Sequence, residues 1–363
     1  MSNFNPMIKE SYNVVGVMSG TSLDGIDLAH VQLTNKEGVW GYQIKQAQTI
    51  AYTDAWVNRL KSAIDFNTDD MWNLNEEYTA LLGEVIKNFI AKNYITNLDA
   101  VCSHGHTILH CPQGGVTLQI GNLPQIANLC EQIVVCDFRV EDVALGGQGA
   151  PLVPVGDKLL FADIDYCLNL GGFSNISFEE SSNRIAFDIC PVNTVLNYYA
   201  NQLGLDYDDG GKIAANASLI APLLEQLNKL DFYAGPYPKS LGFEFVKQTV
   251  LPLMETYKET AQNKLHTFVI HIATQIANVI KLKGEKSSLL ITGGGAYNTF
   301  LIDTLRALLP SISIVVPDDK TIQFKEALIF ALLGVLKLRG EVNVLGSVTG
   351  APVNHSAGFI YTL

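Results

Sequence analysis

The stretch from Asn13 to Leu33, which reads NVVGVMSGTSLDGIDLAHVQL, most constrains what this chain can fold into. It begins as an apolar run, passes through a turn of small and polar residues, and re-emerges as a second alternating run. This pattern predicts a strand, a tight loop and a returning strand, with Asp24-Gly25 as the turn signal.

The loop between the two predicted strands carries almost no side-chain bulk. Its residues include Ser19, Gly20, Thr21, Ser22, Asp24 and Gly25. Small residues let a highly charged ligand lie directly against backbone N–H groups. Asp24 could hold a magnesium ion through water, because magnesium keeps most of its hydration shell. The pattern is equally typical of an ordinary hairpin, so this stretch alone leaves both interpretations open.

The composition of the 363 residues is that of a compact globular protein with room for two domains. Apolar residues make up 48% and charged residues 17%. The net charge of −12 argues against a nucleic-acid partner, because a phosphate backbone binds clustered Lys and Arg. The chain starts without a signal pattern, and its longest apolar run, Ala327 to Leu336, is too short to span a membrane. The six cysteines lack a C-x-x-C pair, which predicts reduced thiols in a cytoplasmic protein.

The order of predicted strands and helices is that of an α/β protein with two domains. The loop from Asp142 to Pro154 is rich in Gly and Pro and is the best candidate for an interdomain crossing. The predicted domains are residues 1–140, which the C-terminal tail could complete, and residues 141–363. Each half opens with a strand, a Gly-containing turn and a returning strand, at Val14 to Val31 and again at Cys167 to Phe187.

Two glycine loops in the second half are candidates for nucleotide binding. No G-x-x-x-x-G-K-[ST] motif occurs, so a bound phosphate would be held by small-residue loops and a metal. The loops are Gly171-Gly172 and Gly293-Gly294-Gly295. The triple glycine lies between a predicted strand and a helix for which Asn298 is a suitable N-cap. Backbone without side chains lets a base or ribose pack closely, although a structural turn remains the alternative.

Asp188 is the predicted catalytic residue. It follows the predicted strand Arg184 to Phe187, and a carboxylate at the carboxyl end of a buried strand faces a ligand in open α/β sheets. There it could act as a general base or as a metal ligand. The alternative is that Asp188 caps a helix beginning at Thr194.

Three further polar residues lie next to apolar runs. His104 follows the predicted strand Ala100 to Cys102, and we expect it to donate a hydrogen bond to a ligand. Zinc ligation by this His- and Cys-containing segment is a weaker alternative, because the ligand spacing is irregular. Arg139 follows the apolar strand Ile133 to Cys136. Glu326 is predicted to begin a helix, where the helix dipole alone would favour a carboxylate.

Nine segments follow one another over nearly the whole chain: GVMSGTSLDGID (16–27), CSHGHT (102–107), TLQIGNLPQIA (117–127), VVCDFR (134–139), GGQGAPLVP (146–154), LNLGGFSNIS (168–177), PKSLG (238–242), ITGGGAYN (291–298) and SVTGAP (347–352). In this order they resemble the anhydro-N-acetylmuramic acid kinases. The resemblance implies an α/β, two-domain actin-like ATPase fold, ribonuclease H-like, with a mixed sheet in each domain and a nucleotide cleft between them.

The resemblance also implies a reaction and its cofactors, ATP and Mg²⁺. Water opens the 1,6-anhydro ring of a muramic amino sugar while ATP phosphorylates the released 6-oxygen, a step of cell-wall recycling. Asp188 corresponds to the residue that activates the water. The sugar-binding positions are His104, Arg139, Glu326 and Asn193. The nucleotide-binding positions include Gly20, Thr21, Asp24 and the Gly293 loop.

The chain departs from the family pattern at five positions, one of which is Ile189 in place of a usual Thr. Where the family usually reads D-T-G-P-G-N, this chain has DICPVN at 188–193, so Cys190 and Val192 replace glycines. His106 replaces a usual Gln, and Leu241 replaces a usual Thr. If the glycines serve close approach or a positive φ, the side chains here would narrow the site or move the loop. The alternatives to an active kinase are a weakly catalytic ATP-binding protein and a kinase for another amino sugar; a homodimer is compatible with each.

Overall fold

The computed structural model describes residues 6–20, 22–281 and 287–363 of the chain. These residues form two compact units. Unit 1 consists of Met1–Phe161 and Phe324–Leu363, and unit 2 consists of Ala162–Gln323. Within the described ranges, every helix is too short or too polar to cross a lipid bilayer.

The sheet of unit 1 combines an antiparallel meander with parallel strands. Its strands are β1 (Ser11–Ser19), β2 (Gly25–Lys36), β3 (Val39–Ala51), β4 (Ala100–Cys111), β5 (Val116–Ile120), β6 (Val134–Cys136) and β12 (Phe359–Tyr361). The order is β12-β6-β4-β1-β2-β3, and β5 pairs with the outer part of β4. The neighbours β1, β2 and β3 are antiparallel, whereas β4 is parallel to β1 and β6 is parallel to β4.

The sheet of unit 2 repeats this arrangement. Its strands are β7 (Tyr166–Leu170), β8 (Phe173–Glu180), β9 (Asn183–Pro191), β10 (Ser288–Thr292) and β11 (Ser313–Val315). The order is β11-β10-β7-β8-β9, with β7, β8 and β9 antiparallel and with β10 and β11 parallel to β7. The shared order confirms the predicted α/β, ribonuclease H-like fold with a mixed sheet in each half.

Helices connect and cover the strands. They are α1 (Asp54–Ser62), α2 (Thr68–Lys92), α3 (Ile126–Cys130), α4 (Val140–Ala144), α5 (Val153–Leu160), α6 (Asn193–Gln202), α7 (Lys212–Ala215), α8 (Ala221–Asn228), α9 (Asp231–Ala234), α10 (Phe243–Phe245), α11 (Leu251–Glu255), α12 (Ala261–Lys281), α13 (Thr299–Leu308), α14 (Asp319–Arg339) and α15 (Gly346–Thr349). Asn298 is the predicted N-cap of α13, and its side chain accepts a hydrogen bond from the Leu301 N–H at 3.0 Å. Helix α14 enters unit 1 at Phe324, where φ −113° and ψ 18° leave the helical range.

The sheet of unit 1 buries both of its faces because β1 is apolar on both sides. Val14 belongs to a core cluster with the second half of α14, whereas Val15 and Val17 belong to a cluster with α2. Neighbouring side chains of a strand point to opposite faces, so this nearly continuous apolar run is what a central strand requires.

Helix α14 approaches the sheet of unit 1 unusually closely. A Cβ atom at Gly16 of β1 would lie 1.9 Å from the carbonyl oxygen of Ala327. One at Gly334 would lie 2.2 Å from the sulfur of Cys102 on β4. Glycine at both positions is therefore what allows the helix to lie against the strands.

The boundary between the units differs from the predicted one at residue 140. Unit 1 continues to Phe161, so the loop at 142–154 lies inside it. The buried Asp142 holds this loop in unit 1 by accepting hydrogen bonds from the Gly149 N–H at 2.6 Å and the Thr349 hydroxyl at 2.7 Å. The segment Phe324–Leu363 also joins unit 1, as the prediction for the C-terminal tail allowed.

The variant Gly16→Ala tests the close approach of α14. The added methyl group would have to displace the helix backbone, so we expect the free energy of unfolding to fall by about 3 kcal/mol, the upper range for overpacking. Urea denaturation followed by circular dichroism measures this change. Gly114→Ala is the control, because the nearest atom to its added Cβ, the sulfur of Cys111, lies at an ordinary 3.4 Å. Equal losses in the two variants would contradict the close approach.

Candidate active site

The bend after β1 leaves its small residues accessible. Gly20 is half-buried, and Ser22 and Asp24 are exposed. Thr21, also predicted to bind nucleotide, lies outside the described residues. Gly25 begins β2, where an added Cβ would lie 2.3 Å from a carbonyl oxygen of β3. The bend is therefore open to a ligand, while its return into the sheet requires glycine.

Ser19 anchors the start of this bend. Its Oγ lies 2.8 Å from Nδ1 of His106 on β4 and 2.5 Å from the Tyr52 hydroxyl. The Tyr52 hydroxyl in turn lies 2.5 Å from the hydroxyl of Tyr78 on α2. Burial lowers the pKa of His106 to about 4, so its ring is neutral at neutral pH. The network fixes where the bend leaves the sheet.

Arg139 and His104 are hydrogen-bonded in unit 1. Arg139 Nε donates to His104 Nε2 at 2.8 Å, and Arg139 Nη1 donates to the Gly149 carbonyl at 2.6 Å. His104 Nδ1 lies 2.9 Å from the Gly105 carbonyl. Since Nε2 accepts, we assign the ring proton to Nδ1. Burial and the Arg139 charge hold the pKa of His104 well below its usual range.

His104 is held by protein groups in this structure, and its hydrogen bond to a ligand stays a prediction. Strand β4 continues to Cys111, so His104 lies within the strand instead of following it. Both ring nitrogens bond to protein groups, and the ring packs against Phe330 with a centroid distance of 4.6 Å. This arrangement makes His104 a positioning residue for the Arg139 guanidinium.

Glu326 lies at the start of the second helical part of α14, as predicted, because the non-helical residue Phe324 interrupts the helix two residues before it. The Glu326 side chain is exposed to solvent. Desolvation raises the pKa of Glu326, while the positive charge of Arg139 lowers it. Burial lowers the pKa of Arg139 to about 10, and Glu326 acts in the opposite direction. The structure thus brings these two predicted sugar-binding residues together in unit 1.

Asp27 joins this charged group, although the sequence analysis did not single it out. Its carboxylate accepts a hydrogen bond from the Thr49 hydroxyl at 2.5 Å. Burial raises the pKa of Asp27, and the negative charge of Asp24 raises it further. Asp27 also raises the pKa of Glu326. A charged residue inside an otherwise apolar strand was the signal that could have identified it.

Asp188 lies within β9 and not at its end, because the strand continues to Pro191. It pairs with Asn175 on β8, which pairs with Asn169 on β7. The side chains follow this register. Asn169 Nδ2 donates to Asn175 Oδ1 at 3.3 Å, and Asn175 Nδ2 donates to Asp188 Oδ1 at 3.1 Å. The two asparagines were missed, although each interrupts an apolar strand.

The second carboxylate oxygen of Asp188 is also hydrogen-bonded. Oδ2 accepts from the Leu241 N–H at 2.8 Å, and the Asp188 N–H donates to the Lys239 carbonyl at 2.9 Å. Burial raises the pKa of Asp188, whereas the hydrogen bonds from Leu241 and Asn175 lower it. Helix α6 begins at Asn193 without a side-chain cap, so the alternative of Asp188 as its cap is wrong.

The two glycine loops of unit 2 lie side by side, because they follow the adjacent parallel strands β7 and β10. A Cβ at Gly293 would lie 2.8 Å from the Leu170 carbonyl oxygen, and one at Gly294 would lie 3.7 Å from Asn193 Nδ2. The Asn193 N–H donates to the Gly171 carbonyl at 3.2 Å. Gly293 has a φ of 81°, which favours glycine. The residues brought together are Gly171, Gly172, Gly293, Gly294, Gly295 and Asn193.

Two side chains that depart from the family pattern near Asp188 pack in the hydrophobic core. The side chains of Cys190 and Val192 are fully buried in the hydrophobic cluster of unit 2. Val192 has a φ of −129° and a ψ of −98°, so its backbone is not left-handed, but this ψ lies outside the range that non-glycine residues usually adopt. Leu241 contacts Asp188 through its backbone N–H, a group that Thr and Leu share.

The variant His106→Gln tests the neutral His106 ring. The pKa of His106 is about 4 when folded, below its ordinary value of 6.5. The unfolded chain therefore binds more protons between these values, and stability falls as the pH falls through that window. In the variant we expect the slope of unfolding free energy against pH to be smaller by up to about 1.4 kcal/mol per pH unit. Urea titrations of both proteins between pH 7 and 4 measure the slopes, and equal slopes would contradict a neutral ring.

Comparison with known proteins agrees with the sequence resemblance. Residues 12–363 match the family model described as anhydro-N-acetylmuramic acid kinase. A relative of that name from Francisella tularensis subsp. novicida is 33% identical over 363 residues, covering 93% of this chain and 95% of its own. Another from Shewanella sediminis is 34% identical over 355 residues, again covering 93% and 95%.

Solved structures resemble the chain more distantly. The activator of the 2-hydroxyisocaproyl-CoA dehydratase from Clostridium difficile covers 90% of this chain and 96% of its own, with 14% identity and a TM-score of 0.46. The assignment rests on the sequence matches, which extend over almost the whole chain. On that ground the chain belongs to the anhydro-N-acetylmuramic acid kinase family.

Proposed function

We propose that this chain is an ATP-dependent kinase that opens 1,6-anhydro-N-acetylmuramic acid with water and phosphorylates its O6. The product is N-acetylmuramic acid 6-phosphate, formed in the cytoplasm during cell-wall recycling. Family membership supports the reaction. The main structural support for this reaction is the environment of Asp188. Its two carboxylate oxygens each accept a hydrogen bond, and burial raises its pKa. A carboxylate oriented in this way suits a general base.

The proposed chemistry requires one positioned base. Asp188 takes a proton from water as the water oxygen attacks C1 of the sugar. The C1–O6 bond breaks, and O6 attacks the γ-phosphorus of ATP while the bond from that phosphorus to ADP breaks. The donors Asn175 and Leu241 hold the carboxylate in one orientation, so little freedom is lost at the moment of reaction. A base of this kind contributes roughly 10²- to 10⁴-fold.

Arg139 and Glu326 are the proposed sugar-binding residues. A guanidinium binds carboxylates with paired N–H donors, which suits the lactyl carboxylate of a muramic sugar. Its hydrogen bond to His104 fixes the plane of that guanidinium. The Glu326 carboxylate offers acceptors for sugar hydroxyls, and its accessibility supports this role.

The bend at 19–25 and the glycine loops at 171–172 and 293–295 are proposed to bind ATP through backbone N–H groups. We propose that Asp24 holds Mg²⁺ through water. The mutual repulsion of Asp24 and Asp27, which contributes to the raised pKa of Asp27, shows that negative charge accumulates here. Oxygen donors suit a hard cation, and the cation would neutralise phosphate charge.

The variant Asp188→Asn tests the proposed base. Asparagine keeps the size of the side chain but cannot take the proton, so we expect kcat for the anhydro sugar to fall by at least about 10²-fold. A coupled assay of ADP release, with and without 1,6-anhydro-N-acetylmuramic acid, measures it. Asp206→Asn is the control, because Asp206 is an exposed carboxylate of the same unit. Unchanged turnover in Asp188→Asn would refute the assigned role.

The variant Asp24→Asn tests the magnesium position. With one charge removed, we expect a non-hydrolysable ATP analogue to need about tenfold more Mg²⁺ for half-maximal binding. Calorimetry of analogue binding at stepped Mg²⁺ concentrations gives this value without turnover. Glu10→Gln removes an exposed carboxylate elsewhere in unit 1 and should leave it unchanged. An identical Mg²⁺ requirement in wild type and Asp24→Asn would reject the assignment.

A further inference from the structure

The segment 239–241 of unit 2 forms hydrogen bonds with Asp188 from outside the sheet. Strand β9 is an edge strand, so its outer backbone groups do not pair with another strand of the sheet. Lys239 and Leu241 supply the two contacts there. The Asp188 N–H donates to the Lys239 carbonyl at 2.9 Å, and the Leu241 N–H donates to the Asp188 carboxylate at 2.8 Å. The orientation of the carboxylate therefore depends on where this segment lies.

The ammonium group of Lys239 ties the segment to the end of α9. Lys239 Nζ donates to the carbonyls of Phe232, Tyr233 and Gly235 at 2.8, 3.4 and 3.2 Å. The same nitrogen lies 4.5 Å from the centre of the Phe232 ring. Carbonyls at the end of a helix attract a cation, and the ring face adds to that attraction.

Helix α9 is in turn fixed to the core of unit 2. The Tyr233 hydroxyl lies 2.9 Å from Nε2 of His271, a buried residue of α12. Nδ1 of His271 lies 2.6 Å from the side-chain oxygen of Asn228. A continuous set of contacts thus runs from α12 through α9 and Lys239 to the backbone groups that hold Asp188.

We propose that Lys239 is a positioning residue for the proposed reaction. It holds the 239–241 segment in place, so that the Leu241 N–H orients the Asp188 carboxylate and stabilises its negative charge. This inference rests on the proposed role of Asp188 as base. The segment has a second attachment, because the Tyr237 ring stacks on Phe187 at 4.8 Å. Loss of the Lys239 contacts should therefore loosen the segment without detaching it.

The surroundings of Lys239 permit a rescue experiment. Its side chain lines a cavity of about 270 Å³ together with Ile189, Tyr233 and Gln275. In Lys239→Ala the removed side chain adds to that space, which is large enough for a small alkylammonium ion. Propylammonium can then supply the three N–H donors that the carbonyls have lost.

The primary experiment compares Lys239→Met with wild type across pH. Methionine keeps the length of the side chain but donates nothing. We expect kcat at neutral pH to fall by about 10- to 100-fold, with KM for ATP and for the anhydro sugar nearly unchanged. Because the Leu241 N–H lowers the pKa of Asp188, its loss should move the acidic limb of the kcat profile to higher pH. Lys239→Arg should retain more of the activity, and propylammonium should restore part of the activity of Lys239→Ala.

Lys247→Met is the matched control, because Lys247 is exposed and its ammonium lies 4.8 Å from the centre of the Phe243 ring.

A raised KM for ATP with an unmoved acidic limb would overturn the proposal and make Lys239 a nucleotide contact. Unchanged kinetics in Lys239→Met would also overturn it. Titration of ¹³C-labelled Asp188 by NMR needs no turnover: a higher pKa in Lys239→Met supports the proposal, and an equal pKa rejects it. Failure of the proposed function would instead appear as wild-type protein that does not consume ATP with the anhydro sugar.

Discussion

The packing of α14 directly on β1 is the constraint on which the charged group of unit 1 depends. Gly16 lets the backbone at Ala327 touch the strand, so the preceding residue, Glu326, is fixed relative to the sheet. The ion pair of Lys325 with Asp157 on α5, at 2.7 Å with both side chains buried, fixes the helix from another side. Such a buried pair adds little net stability, but breaking it is costly, so its main effect here is on the position of α14. The position of the exposed Glu326 side chain follows from these two contacts.

The two units share a strand order but differ in the charges around their polar residues. Unit 1 gathers opposite charges, Arg139 against Glu326, which suits recognition of a charged and hydroxylated ligand. Unit 2 surrounds Asp188 with neutral donors from Asn175 and from the backbone of Leu241. A cation in their place would lower the pKa of the carboxyl group strongly and weaken it as a base. Neutral donors orient the carboxylate while burial keeps its pKa raised.

The strands and the glycine loops could be predicted from the sequence, because period-two apolar runs and small-residue turns are local signals. The predicted position of Asp188 at the end of its strand was wrong for a non-local reason. Strand β9 extends past Asp188 because it pairs with β8 as far as Pro191. Glu326 does begin a helical part of α14, but the preceding part, which starts at Asp319 and ends at the non-helical residue Phe324, was not predicted. The role of Lys239 rests on contacts with backbone carbonyls, which a sequence pattern does not show.

The altered motif around Asp188 places both replacing side chains in the core. Cys190 and Val192 are fully buried there and neither has a positive φ, but the φ of −129° and ψ of −98° at Val192 form a combination that non-glycine residues seldom adopt. The Leu241 contact is made by the backbone, so the replacement of Thr leaves that hydrogen bond in place. What must be preserved is the position of the main chain beside β9. The groups that fix this backbone therefore determine the orientation of the Asp188 carboxylate, and the ammonium of Lys239 is one such group.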